Sequence, residues 1–250
     1  MTLEAFFQEH PRAALAFSGG VDSAYLLWAG KHYGCTLTAY YVQTAFQPEF
    51  ERQDARRLAE EVGVPLVVVE ADILSVPLAA ANGPDRCYHC KKALFSLLWA
   101  AARRDGHTLL LDGTNASDDA GDRPGMRALR ELEVRSPLRE CGLTKAEIRR
   151  QSRQAGLFTW DKPAYACLAT RVPTGTTITA EDLQRVERAE RTLFAMGFTD
   201  FRVRLLGGGA QIQLPEGQWD RAAGMRAALL EGLRPWFDAV VLDLQVRGGE

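Results

Sequence analysis

The chain alternates short apolar runs with longer stretches in which apolar residues recur every three or four positions. The short runs predict buried strands, and the longer stretches predict amphipathic helices. Strands are predicted at residues 13–17, 36–42, 66–70, 109–112 and 134–138. Helices are predicted at residues 24–31, 48–62, 85–104 and 144–156. This alternation predicts an α/β fold with a doubly wound, mostly parallel sheet that binds ligands at the carboxyl ends of its strands.

The last third of the chain follows a different pattern, in which strands follow one another as a hairpin. Its predicted elements are a helix at 180–196, strands at 200–206 and 211–214 around the turn GGGA, a helix at 221–233 and a strand at 239–246. We therefore predict two domains: residues 1–175 carry the parallel sheet, and residues 176–250 form a smaller α/β domain.

Composition and charge narrow the class of protein. The chain has 250 residues, of which 46% are hydrophobic, enough for one large core or for one domain plus a small companion. No run approaches the roughly 18 apolar residues of a membrane helix, and the start MTLEAFFQEHPR has no signal-like pattern. The net charge of −2 gives no broad basic surface for nucleic acid. We expect a cytoplasmic protein with neither membrane nor nucleic-acid partners.

The strand at 13–17 turns into the next helix through the sequence SGGVDS, residues 18–23. Gly19 and Gly20 allow close approach of a ligand, and the hydroxyls of Ser18 and Ser23 and the amides of the helix start predict an anion site. Asp22 suits a magnesium ion bound between carboxylate and phosphate oxygens. The loop lacks the lysine of a Walker sequence. The alternative is a glycine-rich turn that only connects two elements.

The cysteines indicate metal binding or catalysis, because five is an odd number in a chain without a signal-like start. Cys87 and Cys90 lie three apart where the helix at 85–104 begins, and the helix start favours thiolates there. A zinc half-site, a redox pair and two incidental thiols all remain open for this pair. Cys35 and Cys141 are interpreted as packing residues.

Three further segments carry candidate polar residues. The irregular stretch at 160–179 is long enough to predict a functional loop, and it contains Lys162, Cys167 and Arg171. In the loop after the fourth strand, Asp118, Asp122 and Arg123 suit either nucleotide contacts or a solvated turn. Arg202 and Arg204 share one face of a strand, where a phosphate site and an exposed salt-bridged strand are equally compatible with the pattern.

The SGGVDS stretch resembles the PP-loop of the ATP pyrophosphatases, whose fold is the adenine nucleotide alpha hydrolase type. Further stretches extend the likeness along nearly the whole chain: PDRCYHCKK, GTNASDDAGDRPGMRA, TKAEIRRQSRQAGL, WDKPAYACLATRVPTGTTIT, VERAERTL and FRVRL. Together they resemble the LarE family, the ATP-dependent sulfur transferases of nickel-pincer nucleotide cofactor synthesis.

The resemblance implies a reaction and its cofactors. ATP with Mg²⁺ adenylates the carboxylates of a pyridinium dicarboxylate mononucleotide, and a carried sulfur displaces AMP to leave a thiocarboxylate. In one type of family member a single cysteine gives up its own sulfur. In the other type, that cysteine and a C-x-x-C pair bind a [4Fe-4S] cluster that carries extra sulfide from a sulfur donor. This chain has Cys87, Cys90 and Cys167 and resembles the second type.

The resemblance also assigns site residues. Ser18, Gly19, Gly20, Asp22 and Ser23 would bind ATP phosphates, with Asp22 and Cys167 in catalytic roles. Glu190 would lie near the transferred sulfur, Arg202 and Arg204 would bind the substrate phosphate, and the protein would be a homo-oligomer, a hexamer by resemblance. The stretch GGGAQIQL departs from the family pattern, in which a more charged turn is usual.

Two other functions compete with this interpretation. A PP-loop tRNA thiolase would share the loop and the three cysteines, but it needs an RNA-binding module that the charge pattern does not predict. A zinc-stabilised nucleotide-binding regulator without chemistry would use His89 with the three cysteines as a closed four-ligand site.

Overall fold

The computed structural model describes residues 1–118 and 124–247. The chain divides into two compact units. The first comprises Met1–Ala79 and Asp85–Lys162, and the second comprises Ala80–Pro84 and Pro163–Glu250. The stretch at 163–175 therefore belongs to the second compact unit. The limits of the functional domains, with a boundary at 175, stay a prediction.

The first unit contains a parallel sheet. Its strands are β1 (Arg12–Ala16), β2 (Thr36–Gln43), β3 (Leu66–Glu70) and β4 (Leu110–Leu111), in the order β3-β2-β1-β4. In the register, Ala14 of β1 lies opposite Thr38 of β2 on one side and Leu110 of β4 on the other. The predicted α/β fold with a parallel sheet is confirmed. Because these strands are parallel, their carboxyl ends lie at the same edge of the sheet.

Helices before residue 163 follow the strands as predicted, apart from short additions. They are α1 (Leu3–Glu9), α2 (Val21–His32), α3 (Glu49–Val62), α4 (Pro77–Ala80), α5 (Arg86–Arg104), α6 (Pro124–Glu131), α7 (Pro137–Glu140) and α8 (Lys145–Gln154), with a 3₁₀ turn at Ile73–Ser75. Among the described residues, no helix combines the length and apolarity required to cross a bilayer.

The two faces of the sheet are both buried. Leu15 of β1 belongs to a core with Phe6 and Leu26, which come from α1 and α2. Its neighbour Ala14 belongs to a second core with Trp99 of α5. Successive residues of a strand point to opposite faces, so an apolar run without alternation is what a strand covered on both sides requires.

The predicted fifth strand at 134–138 is wrong. Arg135 makes only an isolated parallel bridge with Leu111. Its N–H donates to the Leu110 carbonyl at 3.0 Å, and its carbonyl accepts the Asp112 N–H at 2.9 Å. Pairing stops there because Pro137 has no N–H to donate and instead begins α7.

The second unit contains a mixed sheet and its own helices. Its elements are α9 (Ala180–Ala195), β5 (Arg202–Leu206), β6 (Gly209–Gln213), α10 (Trp219–Gly224), α11 (Arg226–Leu233) and β7 (Val240–Leu242), with 3₁₀ turns at Leu168–Arg171 and Glu216–Gln218. β5 and β6 pair antiparallel, which confirms the hairpin, and β7 adds parallel to β6. α9 contributes Leu183, Val186 and Leu193 to the interior.

Two predictions for the second unit need correction. The predicted helix at 221–233 is two helices in the structure. α10 ends at Gly224 because glycine is the weakest helix former apart from proline. The last strand stops at Leu242 instead of reaching 246. There the Asp243 carboxylate accepts the Gln245 N–H at 3.0 Å, and this local turn ends the strand.

Candidate active site

The SGGVDS loop joins β1 to α2 at the carboxyl edge of the sheet. Gly19 is buried with φ +72°, and a Cβ there would lie 3.2 Å from the Cβ of Ala55 on α3. Only glycine fits this conformation and this approach. Gly20 is the N-cap of α2, and no side chain caps the helix. The first amides of α2 therefore point into the loop without side-chain partners, as an anion site requires.

The two serines brace this loop. Ser23 is buried, and its hydroxyl donates to the Gly20 carbonyl at 3.2 Å and lies 3.0 Å from the Ser18 hydroxyl. Ser18 is exposed. The loop after β4 also packs tightly against the start of α2, since a Cβ on Gly113 would lie 2.8 Å from the Ser23 nitrogen. Ser18 is thus the loop hydroxyl that a ligand reaches first.

Asp22 lies in the first turn of α2 with its two oxygens in different environments. Oδ2 accepts the Lys145 ammonium at 2.6 Å, whereas Oδ1 is buried and has no hydrogen-bond partner among the described residues. Burial raises the pKa of Asp22, and the adjacent Lys145 charge opposes this rise. An unpartnered buried carboxylate oxygen beside an anion site fits a magnesium ion, which typically takes one or two protein carboxylates plus substrate phosphates.

Two lysines flank the loop, and sequence analysis missed their position. Lys145 opens α8 behind the capping box formed by Thr144 and Glu147. Lys162 donates to the Asp54 carboxylate at 2.7 Å and approaches the Gly19 carbonyl at 3.5 Å. The capping pattern predicted the helix but not the partner of Lys145. Packing of α8 on α2 brings this lysine to Asp22, a residue 123 positions away in the sequence.

The loop after β4 is held by its own side chains. Asp112 is buried and accepts the Ser136 hydroxyl at 2.6 Å as well as the Thr114 hydroxyl. Asp118 accepts the Asn115 N–H at 2.9 Å, so this predicted nucleotide contact closes a local turn. Asp122 and Arg123, the other predicted contacts, lie outside the described residues.

The C-x-x-C pair lies where predicted, in the first turn of α5. Cys87 is exposed and Cys90 is half-buried. Between them, Tyr88 turns toward α6, where its hydroxyl donates to Glu131 at 2.8 Å. The Arg127 guanidinium lies 4.1 Å from the centre of the Tyr88 ring. This contact fixes the rotation of α5 about its axis and so sets where the two thiols point.

Cys35 and Cys141 are packing residues, as predicted. Cys35 is buried, its thiol donates to the His10 carbonyl at 3.2 Å, and burial raises its pKa to about 11. Cys141 packs against the same core, and burial raises its pKa too. A raised thiol pKa means little reactive thiolate at neutral pH.

In the second unit, Cys167 lies in residues 164–171, here called the cysteine loop. Arg171 anchors this loop, because its Nη1 donates to the carbonyls of Ala166 at 2.8 Å and Cys167 at 3.3 Å. Its other nitrogens form a bidentate ion pair with Glu190 of α9, at 2.8 and 3.0 Å. The side chains of Arg171 and Glu190 are 0% and 2% exposed.

Glu190 has its hydrogen-bonding capacity filled. Besides Arg171, it accepts the Val203 N–H at 2.9 Å and the Tyr165 hydroxyl. Although burial opposes it, hydrogen bonding to Glu190 raises the pKa of Arg171. Glu190 is therefore placed to hold the cysteine loop against α9 and β5, and its predicted role near a transferred sulfur stays a prediction.

Arg202 and Arg204 lie on one face of β5, as the two-residue spacing predicts. Arg202 is buried and donates to the Ala164 carbonyl at 2.8 Å. Burial, followed by the charge of Arg171, lowers its pKa to about 10. Arg204 is exposed and donates to Gln213 at 2.7 Å and to the Thr170 carbonyl at 3.3 Å. Both arginines thus contact the cysteine loop, one inside and one at the surface.

The predicted metal ligands come from both units. Cys87 and Cys90 belong to the first unit and Cys167 to the second. Within residues 1–118 and 124–247, no three His, Cys, Asp or Glu side chains are grouped as a metal site. The thiols suit an iron–sulfur cluster by their chemistry. Their grouping around one cluster stays a prediction.

Fold and loop together define an α/β protein with a parallel sheet and an uncapped helix start at the SGGVDS turn, and comparison with known proteins refines this class. No protein-family model matches the chain. The chain is 34% identical over 220 residues to the pyridinium-3,5-bisthiocarboxylic acid mononucleotide synthase of Lactiplantibacillus plantarum, an alignment that covers 86% of this chain and 79% of that protein. The chain therefore belongs to the LarE family of pyridinium-3,5-bisthiocarboxylic acid mononucleotide synthases.

Two uncharacterized relatives extend the comparison. The protein slr1717 of Synechocystis is 40% identical over 219 residues, covering 86% of this chain and 81% of its own length. The protein MJ0830 of Methanocaldococcus jannaschii is 29% identical over 185 residues, covering 74% and 70%. Family membership confirms the resemblance to the LarE family, and the iron–sulfur type stays a prediction.

Proposed function

We propose that this protein is an ATP-dependent sulfur transferase. It adenylates the carboxylates of pyridinium-3,5-biscarboxylic acid mononucleotide and converts them to thiocarboxylates for nickel-pincer nucleotide cofactor synthesis. The observation that carries the proposal is the 34% identity over 220 residues to a synthase named for the bisthiocarboxylic product. The anion-binding loop of the first unit and the cysteine loop of the second supply the chemistry that such a reaction needs.

The first half-reaction, adenylation of the substrate carboxylate, is assigned to the SGGVDS loop. A carboxylate is a poor electrophile, so one of its oxygens attacks the α-phosphorus of ATP and pyrophosphate leaves. The amides at the start of α2 and the Ser18 hydroxyl stabilise the charge on the departing pyrophosphate. Asp22 would bind Mg²⁺ through its unpartnered Oδ1.

The second half-reaction replaces AMP by sulfur. Hydrosulfide adds to the adenylated carbonyl, the carbon–oxygen bond to AMP breaks, and the proton goes to solvent, leaving a thiocarboxylate and AMP. We propose Cys87, Cys90 and Cys167 as ligands of a [4Fe-4S] cluster, which, when bound by three thiolates, supplies a fourth iron able to hold replaceable sulfide. Arg171 and Glu190 keep the Cys167 backbone in place.

The substrate phosphate is proposed to bind at β5. Arg204 is the accessible cation there, whereas the buried Arg202 holds the Ala164 carbonyl. Gln213, in the stretch that departs from the family pattern, accepts from Arg204 and donates to Asp243 at 2.7 Å. This glutamine keeps the Arg204 guanidinium in a fixed position, from which it can meet a phosphate with its remaining donors.

The test is mass spectrometry of product and protein after anaerobic incubation with the dicarboxylate nucleotide, ATP, Mg²⁺ and sulfide. We expect the nucleotide to gain about 16 Da for each carboxylate, from exchange of oxygen for sulfur, over several turnovers while Cys167 keeps its mass. Cys87→Ala is expected to adenylate normally but to lose multiple turnover. The matched control is Cys35→Ala, since Cys35 is a buried packing residue of the first unit.

Other results would change the assignment. Loss of about 34 Da from Cys167 in step with product would show that this cysteine gives up its own sulfur, and the cluster proposal would then fail. Thiolation of tRNA with no change in the nucleotide would contradict the proposed substrate. A colourless protein with tightly bound zinc and no turnover would favour the regulator instead.

A further inference from the structure

Lys145 brings a positive charge to the start of α2, beside the SGGVDS loop. Its ammonium lies 2.6 Å from Asp22 in the first turn of α2. The start of a helix carries a partial positive charge, so a cation is disfavoured there. Asp22 faces this ammonium through Oδ2, and the amides of the same turn have no side-chain cap. Asp118 and Arg149 add one nearby charge of each sign, so a bound anion would still find an ammonium and uncapped amides side by side.

The position of Lys145 is fixed by structure around it rather than by the ion pair alone. It is the first residue of α8, its N–H donates to the Ser117 hydroxyl at 3.0 Å, and the capping box fixes the preceding turn. Farther along α8, Gln151 hydrogen-bonds the Tyr25 hydroxyl of α2. These contacts keep the base of the lysine beside the loop while its flexible side chain can change partners.

The Asp22–Lys145 pair is also incomplete. Oδ1 of Asp22 is buried without a partner among the described residues, and the side chains of Lys145 and Asp22 are 34% and 21% exposed. A pair with this exposure is weak enough to exchange. Magnesium and phosphate would offer both members stronger, charge-assisted contacts.

We propose that Lys145 supplies from α8 the phosphate-binding cation that the SGGVDS loop lacks, and that it is stored on Asp22 until nucleotide arrives. On binding of Mg²⁺ and ATP the partners exchange, so that Asp22 turns to the metal and Lys145 to a phosphate oxygen. This inference rests on the use of ATP in the proposed function, but not on the identity of the carboxylate substrate.

The test measures binding of α,β-methylene ATP, which cannot be cleaved between its first two phosphates, by calorimetry with Mg²⁺ or with EDTA. With Mg²⁺, Lys145→Gln is expected to weaken binding about 10-fold or more, because a hydrogen bond between charged groups is lost. Lys145→Arg should keep most of the affinity. Arg150→Gln, which removes an exposed cation from the same helix, is the matched control and should change affinity less than about twofold.

Without metal, the proposed exchange predicts that a substitution at Asp22 raises the affinity for nucleotide instead of lowering it. In EDTA, Asp22→Asn releases Lys145 and removes a repelling carboxylate, so it should bind the nucleotide about 10-fold more tightly than the unmodified protein. The double variant Asp22→Asn with Lys145→Gln should lose the part of this gain that Lys145 supplies. With Mg²⁺, Asp22→Asn should bind more weakly instead.

The possible failures are distinct. If Lys145→Gln binds as the unmodified protein does while melting at the same temperature, or if the gain in Asp22→Asn persists fully in the double variant, the role of Lys145 is wrong. If the unmodified protein does not bind the nucleotide, both this role and the use of ATP are overturned. If binding behaves as described but no thiocarboxylate forms, only the proposed substrate is wrong.

Discussion

Two ion pairs, one in each unit, differ in what surrounds them. Asp22 and Lys145 meet through one contact in the first unit, partly exposed and with one carboxylate oxygen unpartnered among the described residues. Arg171 and Glu190 meet through two contacts in the second unit, fully buried and with further donors from Tyr165 and Val203. The first pair is the one that we propose exchanges partners. The second is part of the fold.

The difference shows how each unit builds its site. In the first unit, the proposed anion site is made by the backbone of the SGGVDS loop, and Asp22 beside it keeps one oxygen without a partner among the described residues. In the second unit, a saturated side-chain network holds the cysteine loop. Unfilled hydrogen-bonding capacity is thus a better guide than charge alone to which residues can bind a ligand.

The largest effect is expected at the buried pair. Glu190→Gln removes the charge that compensates buried Arg171, so the free energy of unfolding should fall by about 3–5 kcal/mol. Urea unfolding is the measurement, and Glu181→Gln, on the exposed side of α9, is the control with a change below about 0.5 kcal/mol. A decrease under about 1 kcal/mol at Glu190 would mean that the pair does not anchor the loop.

The next effect tests how closely the backbone of the SGGVDS loop packs against α3, again by urea unfolding. Gly19→Ala places a Cβ at φ +72° against Ala55 and should lower the free energy of unfolding by about 2–4 kcal/mol, from conformational strain plus overpacking. Gly34→Ala has φ +81° but an open surrounding, and should show the strain alone, about 1–2 kcal/mol. Equal losses at both glycines would show that the contact with α3 is unimportant.

The smallest effect is expected at the exchangeable pair. Lys145→Gln should change the free energy of unfolding by less than about 1 kcal/mol, because exposed ion pairs contribute little. Urea unfolding beside Glu190→Gln gives the comparison directly. A loss of 3 kcal/mol or more would place Lys145 in the fold rather than in ligand binding, and would remove the contrast between the two pairs.

The sequence predicts the first unit better than the second because its signals are local. The apolar run at 13–17 and the SGGVDS turn are read from neighbouring residues; the strand was found within one residue of its predicted limits, and α2 begins three residues early, at Val21. The strand at 134–138 was not, because Pro137 ends its pairing after one bridge. The broken helix at Gly224 and the early end of β7 likewise depend on single residues within otherwise suitable patterns.

Site residues divide in the same way. Asp22 and the serines were predicted because they lie within one motif, whereas Lys145 reaches them only through packing of α8 on α2. The two-residue spacing placed Arg202 and Arg204 on one face, but it could not show that Arg202 is buried beneath the cysteine loop. Tertiary contacts, rather than spacing, decide which of two equivalent arginines remains accessible.

The most direct test of the proposed sulfur transfer measures both half-reactions in parallel, as pyrophosphate release and thiocarboxylate formation from the same anaerobic mixture. The unmodified protein should give AMP and pyrophosphate together with thiocarboxylate. Asp22→Asn should lose both products, since metal and pyrophosphate lose a partner. Cys167→Ala should still release pyrophosphate but form no thiocarboxylate. Release of ADP and orthophosphate, or thiocarboxylate made by Cys167→Ala at the unmodified rate, would contradict the account.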